Sequence, residues 1–210
     1  MIPERCPRPR LFPKSYVRII VQDVQDVCRN VQRPPKSEKR PEEHLSKQVY
    51  HLLKRNPRYY SGPLEPHIES WLPDLESRAD IRFSCGKGIE TYFIFEAKRL
   101  FVTHPGGKSA KLVAEYVNEG MMRFVGERYA RYQQASAMLG YVFDVTPTEA
   151  EAEVGLAIER DREKLCLSTS LSTSLMKVTP PVDETCHNIR GRPFLLYHLF
   201  VTIPSVATSK

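Results

Sequence analysis

The chain has 210 residues, of which 41% are hydrophobic and 27% are charged, a composition typical of a globular protein. No apolar run is long enough to cross a bilayer and the N-terminus has no apolar signal segment, so we expect neither a membrane protein nor a secreted one. The net charge of +6 lies entirely in residues 1–40, which carry ten Lys or Arg and four Asp or Glu, whereas the remaining residues carry 21 of each. Overall charge therefore identifies no partner for the main part of the chain.

The five cysteines are widely spaced and include no C-x-x-C pair. This spacing predicts reduced thiols, a cytoplasmic location and no zinc site of the usual kind. The six histidines also lack metal-ligand spacing, so we expect them to be structural or exposed.

The N-terminal part predicts an arm and a helix. Residues 1–14 are rich in Pro and basic residues and predict an extended segment, and apolar residues at helical spacing then predict an amphipathic helix over 15–32. We treat residues 1–40 as a basic N-terminal arm that includes this helix, and residues 41–210 as one domain. The arm is where we expect a homo-oligomer contact or a targeting partner, although a solvated basic arm explains its charge equally well.

A second helix is predicted over 41–55, with Pro41 in its first turn. Glu42 precedes the apolar residue Leu45 by three positions and therefore lies on the same side of the helix, directed at the edge of the core. A carboxylate in that place needs a partner or an ion. A first-turn carboxylate stabilised by the helix dipole explains Glu42 nearly as well.

A β-hairpin follows a proline-rich stretch. Residues 56–74 contain four prolines and predict an ordered loop with only a weak strand candidate at 68–72. Residues 78–84 then alternate apolar and polar side chains as a half-buried strand does, and residues 84–88 supply turn residues. The returning strand is apolar and ends in Glu96-Ala97-Lys98.

The hairpin predicts a cluster of three ionisable groups. Side chains two residues apart in a strand share a face, so Glu96 and Lys98 lie side by side. A register that pairs Asp80 with residue 94 or 96 adds a second carboxylate to this face. Charges at the end of so apolar a strand usually have a reason, although a surface ion pair is the simpler explanation.

The second half predicts further helices and strands. We expect a flexible connection at 103–109, a long helix over about 110–138, a strand over 141–145, a helix over 148–164, a Ser/Thr-rich loop over 168–174 and a final strand over 194–203. Lys108, Arg123 and Arg128 are candidates for contacts with nucleic-acid phosphates, although a solvated helical face explains the two arginines equally well. The fold class is α/β, a mixed central β-sheet flanked by α-helices.

Two carboxylates and an ammonium on one face suit one kind of chemistry. Carboxylates hold Mg²⁺ or Mn²⁺ through oxygen and leave positions for water and phosphate. Such a metal acidifies bound water and neutralises charge on a phosphate that is being attacked. Lys98 can hold the attacking water and offset the developing negative charge. Phosphodiester hydrolysis is the reaction that fits these groups.

The same residues resemble the PD-(D/E)xK nuclease superfamily, which has the restriction-endonuclease-like fold. Asp80, fifteen intervening residues and Glu96-Ala97-Lys98 match its motif. A helix with an inward Glu42 precedes the motif, and a helix and a strand follow it. The resemblance covers about residues 41–145, half of the chain.

The resemblance implies a role for each matching position. In the superfamily the Asp and Glu bind a divalent metal, the carbonyl between Glu and Lys joins them, and the Lys assists the nucleophilic water. These roles would fall on Asp80, Glu96, Ala97 and Lys98, with Glu42 as the helix acid. The implied protein is a Mg²⁺- or Mn²⁺-dependent endonuclease, with DNA favoured over RNA as its substrate.

Two other classes of protein fit the sequence. A catalytically silent member would keep the fold and bind nucleic acid or protein without turnover. An unrelated interaction domain would use the N-terminal helix to bind a partner, and its acidic face would be incidental. Loss of cleavage on substitution of Lys98 or Asp80 separates the first class from an enzyme, and metal titration separates the second.

Overall fold

The computed structural model describes residues 12–35, 37–72, 77–85, 92–104, 107–126 and 133–204. In these ranges the chain forms a seven-stranded mixed β-sheet with helices against both faces, and a separate two-stranded sheet. None of the helices in this part of the chain is long and apolar enough to span a membrane. The helices are α1 (Lys14–Cys28), α2 (Pro41–Lys54), α3 (Pro57–Tyr60), α4 (Val113–Glu115), a π-helical turn (Tyr116–Met121), α5 (Met122–Val125) and α6 (Pro147–Arg160). The strands are β1 (Leu64–Leu72), β2 (Ser77–Cys85), β3 (Tyr92–Leu100), β4 (Val102–Thr103), β5 (Ser109–Ala110), β6 (Ala135–Val142), β7 (Leu167–Thr173), β8 (Asp183–Ile189) and β9 (Arg192–Thr202).

The large sheet has the strand order β1-β2-β3-β6-β9-β8-β7. Its central strands β3, β6 and β9 are parallel, and antiparallel strands extend the sheet on each side. β3 and β6 are buried on both faces, which is why their sequences are nearly continuous apolar runs. Glu96 and Lys98 are the charged residues within the buried run of β3. The expected α/β class, a mixed sheet flanked by helices, is confirmed.

Each face of the sheet has its own apolar core. The first core joins α1 and α2 to the face that carries Phe93 and Phe95, and it takes up the whole apolar stripe of α1. The second core joins the π-helical turn, α5 and α6 to the face that carries Ile94 and Leu100. Since side chains alternate along a strand, Glu96 and Lys98 point toward the second core.

The helices of the N-terminal half form close to where the sequence predicts them. The helix predicted over 41–55 is confirmed as α2, whereas the helix predicted over 15–32 ends earlier, at Cys28. The ordered loop predicted over 56–74 is wrong, because Leu64–Leu72 forms a nine-residue strand paired with β2. Pro66 lies inside this strand, and a sheet edge tolerates proline because one side of the strand has no ladder to complete.

The long helix predicted over 110–138 is also wrong. The helical segment ends at Val125, and Gly126 is its C-cap residue. Residues Ala135–Val142 form β6, the strand at the centre of the sheet. A strand buried on both faces has no alternation, so its periodicity does not distinguish it from a buried helix. Gly140 lies within β6, where a β-carbon would be 2.9 Å from the Leu100 side chain. Because glycine has no β-carbon, the neighbouring strands and the π-helical turn can pack closely here.

The C-terminal half differs from prediction in two strands. The Ser/Thr-rich loop predicted over 168–174 is the edge strand β7, and β8, which was not predicted, alternates buried and exposed residues across from β9. β8 escaped prediction because its buried positions include Asp183, Thr185 and His187, which are polar. The helix predicted over 148–164 forms over Pro147–Arg160, and Thr146 and Glu149 close its N-terminus as a capping box.

Thr185 and His187 belong to a hydrogen-bonded chain inside the second core. The Thr185 hydroxyl bonds Nε2 of His187 at 2.8 Å and Nε2 of His198 at 2.9 Å. His198 Nδ1 bonds the hydroxyl of Tyr116 at 2.9 Å, and His187 Nδ1 bonds the Leu165 carbonyl at 2.8 Å. Burial, helped by the neighbouring His187, lowers the pKa of His198 to about 3. Both histidines are therefore structural, as the sequence predicts.

We expect the buried His198 to make the protein sensitive to mild acid. Below pH ~6.5 the His198 imidazole is protonated in the unfolded chain but stays neutral in the folded chain. The free energy of unfolding should therefore fall by about 2 kcal/mol between pH 7 and pH 5 from this residue alone. Urea unfolding of the parent and of His198→Gln at both pH values measures this loss of stability. The free energy of unfolding of the variant should fall by about 2 kcal/mol less than that of the parent on acidification. An equal pH dependence in the two proteins would contradict it.

Candidate functional site

The three predicted groups meet where β2 separates from β3. The antiparallel register pairs Phe83 with Phe93 and Ile81 with Phe95. One step further along, the same register brings Asp80 opposite Glu96, but the strand ladder ends there. The Asp80 carboxylate accepts the backbone N–H of Ala97 at 2.7 Å, in the place of a β2 carbonyl. Asp80 therefore closes the end of the ladder.

Glu42 fills the next position along this edge. Its Oε1 accepts the backbone N–H of Arg99 at 3.3 Å and the guanidinium Nε of the same residue at 3.3 Å. Since the N–H and C=O of a strand residue face the same neighbour, the Ala97 carbonyl points to the edge between the Asp80 and Glu42 contacts. Two carboxylates and one carbonyl thus share the open edge of β3.

Glu96 is fully buried and carries two cationic partners. Lys98 Nζ lies 3.3 Å from Oε1, and Arg123 Nη1 lies 3.0 Å from Oε1 and 3.1 Å from Oε2. Lys98 is itself only 8% exposed, whereas the Arg123 side chain is 34% exposed. A carboxylate withdrawn from water is costly unless it is paired, and these two cations supply the pairing.

The π-helical turn lets the helix approach close to this pair. A β-carbon on Gly120 would lie 2.4 Å from Met138 Cε and 3.4 Å from Lys98 Cγ. Glycine therefore allows the helix to pack against the aliphatic stem of Lys98 and directs Arg123, three residues later, at Glu96. Single π-helical turns inside helices occur frequently at functional sites.

The pKa of Asp80 differs from that of an ordinary surface carboxylate. Burial is the largest effect on its ionisation and raises its pKa, and the charge of Glu42 acts in the same direction. The hydrogen bond from Ala97 and the charges of Lys98 and Arg123 lower the pKa, but they do not cancel the burial. A carboxyl group with a raised pKa gains more than an exposed one from a neighbouring cation.

The structure brings most of the predicted site residues together. Asp80, Glu96, Ala97 and Lys98 lie at one end of the hairpin, and Glu42 reaches the same edge from α2. The neighbouring Glu43 forms ion pairs with Lys47 and Arg40 instead.

The predicted phosphate-binding residues have different positions. Arg123 contacts Glu96 directly. Lys108 is exposed in the turn between β4 and β5, and its side chain forms no ion pair or hydrogen bond with another described residue. Arg128 lies outside the described residues. Sequence reasoning missed the role of Arg99, although its place immediately after the motif and on the side of α2 is a signal that could have revealed it.

The ligand set at this edge is small. Within the part of the chain that the structure describes, no three His, Cys, Asp or Glu side chains form a metal-binding group. The oxygen donors here are the Asp80 carboxylate and the Ala97 carbonyl at the edge of β3, the buried carboxylate of Glu96 beside Lys98, and Glu42, which is held by Arg99. Hard oxygen donors of this kind fit Mg²⁺ or Mn²⁺ better than a soft metal.

Comparison of the chain with protein-family models, with curated proteins and with solved structures finds no match in any of the three. The similarity to PD-(D/E)xK nucleases therefore stays a prediction that rests on the motif and on the geometry of these residues.

The raised pKa of Asp80 predicts that its charge weakens the metal-free fold. Folding favours the protonated carboxyl, so this contribution to stability is present at low pH and is lost as the pH rises through the pKa of the folded state. Asp80→Asn keeps an oxygen for the Ala97 N–H and removes the charge, and we expect it to unfold at a higher urea concentration than the parent at pH 7 with chelator present.

Asp144→Asn is the matched control for this substitution. Burial opposes ionisation of Asp144, but hydrogen bonds from Arg33 and Thr103 prevail and lower its pKa. The same Asp-to-Asn change should therefore destabilise the protein at this position. Destabilisation by both substitutions would show that Asp80 is an ordinary stabilising carboxylate.

Proposed function

We propose that the protein is a divalent-metal-dependent nuclease that hydrolyses phosphodiester bonds in nucleic acid, with DNA favoured over RNA as the substrate. The observation that carries this proposal is the convergence of Asp80, Glu96 and Lys98 where β2 separates from β3. A fold does not need the buried Glu96–Lys98 ion pair, because apolar residues of similar volume often stabilise a core as well.

The arrangement of the elements supports a restriction-endonuclease-like core. α2 leads into the β1-β2-β3 meander, the helix after β3 covers the face that carries Glu96, and β6 then pairs in parallel with β3. This is the order of elements on which the resemblance to PD-(D/E)xK nucleases depends. We therefore propose that residues 41–145 form such a core, extended by α6 and β7–β9.

The proposed cofactor is Mg²⁺ or Mn²⁺, held by Asp80, Glu96 and the Ala97 carbonyl. When bound, the cation supplies Lewis-acid activation of the attacking water and neutralises charge on the scissile phosphate. Glu42 lies one position further along the edge and can hydrogen-bond a water in this shell. Asp80 and Ala97 are already joined by a hydrogen bond, so part of the ligand set is preorganised.

Lys98 has the central role among the remaining residues. Its ammonium lies 3.3 Å from Glu96 and can donate hydrogen bonds to the attacking water and to the negative phosphate oxygens. Its low exposure strengthens these interactions, because electrostatic energies rise where water is excluded. The stem of Lys98 packs near Gly120, which limits the movement of the ammonium.

Cleavage of a supercoiled plasmid tests the proposal. We expect nicking that requires Mg²⁺ or Mn²⁺ and that stops when EDTA is added. Lys98→Met keeps the aliphatic stem and removes the charge, and we expect it to slow cleavage at least ~100-fold, within the range for one positioned polar group. A single-stranded DNA and an RNA of the same sequence measure the substrate preference.

Lys47→Met is the matched control. Lys47 also forms an ion pair with a glutamate of its own element, but on the outer side of α2. This variant should cleave as fast as the parent. Equal rates for the parent and Lys98→Met would contradict the proposal, and metal-independent binding of nucleic acid without cleavage would instead indicate the catalytically silent alternative.

A further inference from the structure

Arg123 lies between the buried carboxylate and a polar surface pocket. One of its guanidinium nitrogens contacts both oxygens of Glu96, at 3.0 and 3.1 Å. The side chain also lines a pocket of about 540 Å³ on the surface of the π-helical turn and α5. The other lining residues are Asn118, Glu119, Met122, Gly126 and Lys164.

A guanidinium in this place competes with a cation for Glu96. A carboxylate whose Oε2 accepts a hydrogen bond from Arg123, and whose Oε1 lies within ion-pair distance of both Arg123 and Lys98, binds a divalent ion less readily. The positive charge of Arg123 also repels such an ion directly. Full occupancy of Glu96 by a metal therefore requires Arg123 to move away or to weaken its contact.

The pocket offers a place for Arg123 to turn. It is partly open to solvent, and Lys164 contributes a second cation, held by a hydrogen bond to Asn118. Among the described residues that line it, Glu119 is the one that is acidic. Two cations about a polar pocket next to a phosphodiester-cleaving site suit a backbone phosphate, to which a guanidinium donates paired hydrogen bonds.

We propose that Arg123 is an exchangeable counter-ion, and that the pocket it shares with Lys164 binds a substrate phosphate that flanks the one that is cut. Without nucleic acid, Arg123 neutralises Glu96 and weakens metal binding. When the flanking phosphate enters the pocket, Arg123 turns to it and leaves Glu96 to the metal. This inference rests on the proposed nuclease function and adds to it a coupling between substrate and metal.

The coupling has a thermodynamic signature that needs no cleavage. If nucleic acid raises the affinity for metal, then metal raises the affinity for nucleic acid by the same factor. Removal of Arg123 should raise the affinity for metal in the absence of nucleic acid, and it should also reduce the coupling. A residue with only a structural role would lower both affinities or leave them unchanged.

Titration calorimetry with Mn²⁺ alone tests the first part. We expect Arg123→Gln to bind Mn²⁺ about tenfold more tightly than the parent, the size of a typical coupling between neighbouring sites. Arg123→Lys should fall between the two, because it keeps the charge and loses the planar guanidinium that contacts both oxygens of Glu96. Arg29→Gln removes an arginine from an exposed ion pair on α1, at the other face of the sheet, and should bind Mn²⁺ as the parent does.

Fluorescence anisotropy with a labelled DNA duplex tests the second part. We expect the parent to bind the duplex about tenfold more tightly in Ca²⁺ than in EDTA, and Arg123→Gln to show little difference between the two. Lys164→Gln should weaken binding of the duplex severalfold under both conditions while its affinity for Mn²⁺ equals that of the parent. This pair of variants separates the phosphate contact from the effect on metal.

The possible failures are distinguishable. Equal or weaker Mn²⁺ binding by Arg123→Gln, with the parent binding Mn²⁺ and cutting DNA, overturns the counter-ion role alone. Unchanged binding of the duplex by Lys164→Gln overturns the phosphate pocket. A parent that binds no Mn²⁺ overturns both this inference and the proposed nuclease function.

Discussion

The burial of Glu96 is the constraint on which the rest of the site depends. A carboxylate with no exposed surface at the centre of a sheet must be neutralised, and the protein brings a lysine from the same strand and an arginine from the covering helix to do so. The contact from Arg123 joins the covering helix to this point of the strand. Gly120 in the π-helical turn allows the close approach of the helix.

The open edge of β3 imposes a second constraint on the site. Where β2 leaves, the backbone donors of Ala97 and Arg99 would lack ladder partners, and the carboxylates of Asp80 and Glu42 accept them instead. Each carboxylate therefore has a structural role that is consistent with a functional one. Because burial raises the pKa of Asp80, ionisation of this carboxyl opposes the stability of the fold.

Much of the site could be predicted from the sequence, because it depends on short-range rules. Alternation along β3 places Glu96 beside Lys98, and the hairpin register adds Asp80. The contact between Arg123 and Glu96 could not be predicted, because it crosses 27 residues and depends on the π-helical turn. Residues 135–138 of β6 were mistaken for helix because a strand buried on both faces has no alternation, and β8 was missed because most of its buried side chains are polar, with Thr185 and His187 hydrogen-bonded inside the core.

The proposed nuclease requires a metal site between Asp80 and Glu96. The most direct measurement is anomalous diffraction from crystals of the protein soaked in Mn²⁺. We predict one strong anomalous peak at bonding distance from Asp80, Glu96 and the Ala97 carbonyl, with Arg123 turned away from Glu96. Saturating Mn²⁺ with no peak at this edge, and Glu96 still held by Lys98 and Arg123, would contradict the claim.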